Sequence, residues 1–298
     1  MAYPTDTFTA TDLAAYIPEI WGSKINDYFK LELQAAAFFV DRSSELADGG
    51  DILHTPDLSA MTATAKSNAT AVTLSSPTYT SKDLTVDQWY EVSFAIEDKE
   101  AVQVAKSFYA QERMAKNMSY ELASKLEIAI AGIFDDFSTA SIGGTGSTLT
   151  DAMVRAAIST LAAVGINLGE CAFFIYSAVV WDDLMGVDRF TLAINSPEMS
   201  PVGKGKMGNL YGIPLYSSNF VQSPAGGGRF NVLASKDAIH YATSSLPVMA
   251  EHGSVGKYGI RVQSSYDQRY LATLTTADIL YGVLRNRHNG GVCIKTDS

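Results

Sequence analysis

The sequence predicts an α+β protein organised around one very long helix, and three observations predict it. From Asp98 to Phe134 there is no proline and no glycine before Gly132, and the apolar residues step by threes and fours. Immediately upstream, apolar and polar residues alternate with a period of two, the mark of a strand. Beyond residue 150 helical and strand patterns interleave, and from Leu246 to the end the pattern is β again.

Composition supports a folded chain. Of 298 residues, 47% are hydrophobic and only 18% charged, which argues against disorder and hints that much surface is covered by further copies of the same chain. The net charge of -10, from 32 acidic and 22 basic residues, argues against broad nucleic-acid binding, which needs a concentrated basic surface. The densest basic group is Arg285, Arg287 and His288, read as a solvated turn or a subunit contact. Cys171 and Cys293 sit far apart in apolar runs and read as buried thiols without a disulfide. The opening MAYPTDTFTATDL lacks the basic and apolar regions of a signal peptide, and CAFFIYSAVVW is too short to span a bilayer. The expected setting is a reducing aqueous compartment, with no membrane partner.

Taken in order, residues 1–49 read as an extended arm with short helices. Thr11 and Asp12 are placed to cap LAAYIPEIW, and Ile25 to Val40 carries an amphipathic, partly helical pattern. Residues 50–97 read as a projecting hairpin. Its outer part is rich in Thr, Ser and Ala. In its return limb Leu84, Val86, Tyr90, Val92, Phe94 and Ile96 share one face, Trp89 lies among the polar residues of the other, and only Gln88 breaks the alternation. One strand of that length would reach roughly 45 Å, too long for a compact sheet to bury.

Residues 98–140 hold the helix, which would span roughly 50 Å. Its expected buried stripe runs through Ala101, Val104, Phe108, Gln111, Ala115, Met118, Leu122, Leu126, Ala129 and Ile133, with Asp98 as cap. Residues 141–244 read as a mixed α/β unit. Thr150 would cap DAMVRAAISTLAAV, Leu149 and Val154 would form a hydrophobic staple, and Gly165 would stop the helix. AFFIYS, LYGIPLYSSNFV, RFNVLAS and KDAIHYATS follow as strands, with a bend at Gly212-Ile213-Pro214. Residues 245–283 and 284–298 return to β, closing with GGVCIKTD.

Catalytic templates are missed throughout. His54, His240, His252 and His288 are scattered, with no metal-ligand spacing. Gly143, Gly144 and Gly146 follow a helix, the wrong context for a phosphate loop, and Asn209 and Leu210 stand where a Walker motif needs Lys and Ser or Thr. There is no GxSxG elbow. No cofactor, metal or catalytic residue is expected.

The order of arm, hairpin, long helix, α/β unit and returning strands resembles the major capsid protein of tailed bacteriophages, the Hong Kong 97-type capsid fold. The stretches that carry the likeness are VSFAIEDKEAVQVAKSF, GNLYGIPLYSSNFV and ILYGVLRNRHNGGVCIKTD. The resemblance implies an N-terminal arm (1–49), an E-loop hairpin (50–97) lying over a neighbouring subunit, and a P domain made of a spine helix (98–140) with strands from 245–283. It also implies an A domain (141–244) and a C-terminal strand (284–298) returning to it. The function implied is self-assembly into pentamers and hexamers of an icosahedral head in the virion, assembled in the host cytoplasm. That shell encloses double-stranded DNA without sequence-specific binding, alongside scaffolding, portal and decoration proteins.

Lys66, Lys82, Trp89, Arg285 and Arg287 are the interface residues this reading selects. Some family members join an E-loop lysine to an asparagine of a neighbour; Lys66, Lys82, Asn286 and Asn289 lie in the corresponding regions, and no motif assigns any of them that role. Two alternatives stay open. An encapsulin nanocompartment shell has the same fold and would be distinguished by a neighbouring cargo gene. A soluble α/β enzyme with residues 141–244 as its catalytic unit would be a small oligomer with a ligandable cleft.

Overall fold

The computed structural model describes residues 33–47, 49–103, 107–137, 141–144, 146–187, 208–223, 227–248 and 253–297. The helix expected from Leu13 and most of the loop around 195–209 lie outside them. In chain order the described elements begin with α1 (Ala35–Phe38), β1 (Val40–Asp41), β2 (Ile52–Leu58), β3 (Tyr79–Thr85) and β4 (Gln88–Glu97). Next come α2 (Asp98–Gln103), α3 (Ser107–Ala131), β5 (Ile142–Gly143), α4 (Asp151–Val164), β6 (Cys171–Tyr176) and α5 (Ser177–Asp182). Then follow β7 (Asn209–Leu210), β8 (Ile213–Ser218), β9 (Arg229–Ser235), β10 (Ile239–Ser244) and β11 (Gly253–Val255). The last are β12 (Arg261–Asp267), β13 (Ala272–Arg285) and β14 (Gly291–Thr296).

Two six-stranded sheets organise these elements. The first runs β1-β10-β13-β12-β11, with β4 on the other edge of β13. The second runs β5-β14-β9-β6-β8-β7. Between them lies one large core. The buried face of α3 (Met118, Leu122, Ala123, Leu126 and Ile130) meets Ala277, Ile279 and Tyr281 of β13, with Val92 and Phe94 of β4 packed alongside. Phe134 and Phe137 carry the same core onto Phe174, Val232 and Cys293 of the second sheet. The opposite face of that sheet holds a separate core, where Phe173, Ile175, Leu233 and Ile294 meet Val154, Ala157 and Leu161 of α4.

The caps of α4 follow their sequence cues in part. Gly165 stops the helix at φ +84, with its N–H returned to Leu161 and Ala162, as a left-handed C-cap requires. Leu149 and Val154 are both buried in one cluster. Thr150 has extended N-cap backbone but makes no side-chain capping bond, so the expected cap acts through its carbonyl, which receives Met153 and Val154.

Several expectations are corrected. The alternating stretch from Leu84 to Glu97 is two strands, interrupted at Val86 and Asp87. β3 pairs with β2 in the hairpin, whereas β4 pairs with β13 over ten residues, from Glu97↔Ala272 to Gln88↔Tyr281. The break lies beside Gln88, the one residue out of phase. The segment 50–97 therefore contains a hairpin and a strand of the first sheet, and no single strand of roughly 45 Å projects.

In α3 the buried stripe runs Met118, Leu122, Leu126, Ile130, with Ala123 and Ala131 beside it; Ala129 and Ile133 are only half-buried. Steps of four from Leu126 keep the stripe facing β13, where a step of three to Ala129 rotates off it. β10, read as part of the α/β unit, crosses to the first sheet and pairs antiparallel with β13 from Ile239↔Arg285 to Ser244↔Leu280.

Candidate assembly surfaces

The hairpin is the most exposed element described. From Pro56 to Ser81 every residue except Pro77 is exposed, including Leu58, Met61, Val72, Leu74 and Tyr79. Between β2 and β3 the segment has no regular structure beyond a turn at Asn68 and Ala69, the latter at φ +60. Lys66 closes that turn: its ammonium donates to the carbonyls of Ser67 and Thr70 and to the Thr70 hydroxyl. The residue selected as an interface cation is thus occupied in shaping the tip.

The base of the hairpin is held by both packing and charge. Leu84 and Val86 pack with Leu46 and Ala242, flanked by Leu53, Leu280 and Leu284. Gly282 of β13 lies under the return limb, where an added Cβ would meet the Thr85 carbonyl oxygen at 2.0 Å. Beside this contact is a cavity of about 340 Å³ lined by Arg42, Thr55, Asp57, Lys82, Asp237, His240, Asn286 and Arg287. Lys82 donates to the Asn286 carbonyl oxygen at 2.5 Å and pairs with Asp57 at 2.7 Å. Arg287 and His240 both meet Asp237, and Arg42 reaches Thr55 and Glu45.

Electrostatics at this base favour ionised carboxylates. The hydrogen bond from Lys82 holds Asp57 below its usual range. Burial pushes Asp237 upward, but the bonds from His240 and Arg287 outweigh it and leave the carboxyl lowered. Arg287 and Arg285 are therefore not a free basic patch. Arg287 pairs with Asp237, and Arg285 donates to the main-chain carbonyl of Asp136.

Trp89 is 65% exposed, yet its indole N–H donates to Asp278 at 3.1 Å. Asp278 is buried and grips Arg261 through two bonds, at 2.8 and 2.5 Å. The ring is thereby tethered at its one polar atom while its faces stay open. Further exposed aromatics stand elsewhere: Tyr266 and Tyr270 near the β12–β13 turn, and Trp181 and Tyr211 on the second sheet's side.

Three features escaped sequence reasoning. The Arg261–Asp278 pair joins residues whose proximity only the β12–β13 register creates. Gly282 gave no signal, because a strand glycine does not say what passes over it. Glu127 is buried on α3 at 1% exposure; its signal was a lone carboxylate within LEIAIA.

Among the described residues no group of three or more His, Cys, Asp or Glu is placed to hold a metal ion. Burial pushes the thiols of Cys171 and Cys293 up to about 11 and about 12, so both stay protonated and inert. No helix among the described residues is long and apolar enough to cross a membrane.

No family model and no curated protein matches the sequence. Solved structures do match, over nearly the whole chain. One from Mycobacterium phage Che8 superposes with a TM-score of 0.76 at 20% identity, covering 94% of this chain and 97% of that one. The capsid structure of the cyanophage P-SCSP1u gives 0.74 at 11% identity, covering 99% and 97%. The asymmetric unit of the bacteriophage PhiM1 mature capsid gives 0.72 at 11% identity, covering 94% and 91%. The chain therefore has a mixed α+β fold shared with solved phage capsid structures.

Proposed function

We propose that this chain is the shell-forming subunit of a tailed-phage head, a Hong Kong 97-type capsid protein that self-assembles into pentamers and hexamers. The observation that carries the reading is the hairpin, an exposed limb with apolar side chains and no core of its own beyond its base. Such a limb gains its burial from another chain. A heterologous contact of this kind, repeated by rotation, closes into rings. The shared capsid fold supports the same conclusion.

In this reading residues 1–49 form the arm, and 50–97 carry the E-loop together with β4. The P domain combines the spine helices within 98–140 and the strands of 245–283. What supports that grouping is the packing of α3 on β13 and β4. Residues 141–244 form the A domain, and the pairing of β10 in the first sheet favours ending it at Ala238. The C-terminal strand returns to the A domain, consistent with β14 pairing with β9 and β5. Lys66, Lys82, Trp89, Arg285 and Arg287 lie on the surfaces offered to neighbours, acting chiefly by shaping them. The role is structural, with no catalytic residue or cofactor. The assembled shell belongs to the virion, forms in the host cytoplasm, encloses double-stranded DNA, and works with scaffolding, portal and decoration proteins.

The test is to express the chain alone and with scaffold and image it by negative-stain microscopy. Closed particles with five- and six-fold capsomers are expected. A chain that stays monomeric or dimeric under all salt and scaffold conditions defeats the proposal.

A further inference from the structure

The spine helix carries a buried carboxylate in the middle of its apolar face. Glu127 is 1% exposed, and among the described residues no cation pairs with it. Its carboxylate is met instead by the main chain of residues 34–36, in the last third of the arm. The N–H groups of Gln34 and Ala35 donate to Oε1 at 2.7 and 2.6 Å, and that of Ala36 to Oε2 at 3.0 Å. These are the donors that the first turn of α1 leaves without helical partners, and a carboxylate is their natural acceptor.

The segment so held touches all three layers around the central core. Tyr241 of the first sheet donates its hydroxyl to the Ala36 carbonyl at 2.8 Å. Val40 and Asp41 pair with His240 and Tyr241 as a short parallel strand. On the other side Phe39 stacks on Phe174 of the second sheet at 5.4 Å, and Phe38 meets Phe174 edge-on at 5.5 Å. Residues 34–41 thus wedge between the spine helix and both sheets, and among the described residues Glu127 is the charged group that binds the wedge to the helix.

A buried carboxylate that, among the described residues, is held by three amides has a steep consequence. If the wedge leaves, Glu127 loses these three donors on the apolar face of the helix, which is strongly unfavourable unless that part of the helix opens to water. Seating of the segment and burial of this part of α3 are therefore one coupled event. From this the structure assigns Glu127 as a latch: a positioning residue that fixes where the arm leaves the subunit, and so where the arm can reach a neighbour. Its role in assembly rests on the shell reading above; the latch itself does not.

Hydrogen exchange on the unassembled full-length chain, comparing wild type with Glu127→Gln, tests the latch. The substitution keeps the shape but removes the charge and turns an amide NH₂ toward N–H donors. Exchange at Gln34, Ala35 and Ala36 is expected to accelerate about tenfold or more, as for loss of a charged hydrogen bond. Amides of β6 and α4 should stay at wild-type rates. Unchanged exchange at residues 34–36 overturns the latch, and so does a uniform acceleration that includes β6 and α4, because that reports loss of the whole fold. Glu127→Asp, which keeps the charge but shortens the reach, should fall between the two. In a second arm, Glu127→Gln is assembled under conditions where wild type forms particles, and malformed or absent particles are expected. Normal particles from a variant with released amides remove the assembly role. If wild type itself never assembles while the exchange pattern appears, the latch stands and the shell reading falls.

Discussion

The ammonium of Lys82 lies 2.5 Å from the main-chain carbonyl oxygen of Asn286, 204 residues further along the chain. With the Asp57 carboxylate 2.7 Å away on the paired strand, this cation ties both limbs of the hairpin to the end of β13. Lys82→Met should release the hairpin base without unfolding either sheet. The check is the Asp57 carboxyl titration by NMR, which should return to the ordinary carboxylate range in the variant. An Asp57 that titrates as in wild type would refute the brace.

The same base should respond to acid. Asp57 and Asp237 have folded-state values below their usual 3.8. Their contribution is therefore fully present above the unfolded-state value and is lost as pH falls through the lower folded-state values, below about pH 4. Wild type should lose more stability between about pH 6 and about pH 3 than Asp237→Asn does, as read from urea midpoints. Parallel losses would mean the cluster contributes nothing to the acid response.

Gly282→Ala should be costly although the residue sits in a strand. The added methyl would overlap the Thr85 carbonyl, a backbone atom that cannot swing aside, so the return limb must lift from β13. A loss of about 2–3 kcal/mol is expected from overpacking, seen as a lowered melting temperature. The hairpin-base amides should lose protection first.

Arg261→Met leaves the Asp278 carboxylate buried beside Trp89 without its cation. Removing one partner of a buried pair costs about 3–5 kcal/mol. The loss should show in chemical denaturation, together with a change in Trp89 emission in a background lacking Trp21 and Trp181. A stability within error of wild type would show that the pair is dispensable.

Met118→Pro places proline within the buried face of α3, removing a helical bond and forcing a clash with the preceding turn, at about 3 kcal/mol or more. If the helix is the strut of the shell subunit, assembly should be abolished. Particles of normal yield and size would argue against the strut.

Much of this architecture was legible in the order of residues, because local patterns act over short distances. The helical pattern over Ser107–Ala131, the αL stop at Gly165, the buried strand CAFFIY and the exposed Thr- and Ser-rich hairpin tip all follow from periodicity, capping and composition. The one helix expected from Asp98 to Phe134, by contrast, is described as two, α2 and α3, the second ending at Ala131. Even the break between β3 and β4 left a trace at Gln88. The family resemblance read from the order of parts agrees with the fold shared with solved capsid structures.

What the chain order could not decide was partnership across distance. Periodicity says that Val92 and Phe94 face inward, but not that their strand abandons the hairpin for β13. Composition marks Lys82, Arg285 and Arg287 as cations, but only the tertiary structure surrounds them with Asp57, Asn286, Asp136 and Asp237. Glu127 is the sharpest case. A carboxylate on a helix is by default a solvated one, and it becomes a buried latch solely because main-chain donors 91 to 93 residues away are folded onto it. Local sequence sets which conformations are cheap; burial and charge compensation, which depend on everything folded around a residue, decide what each residue does.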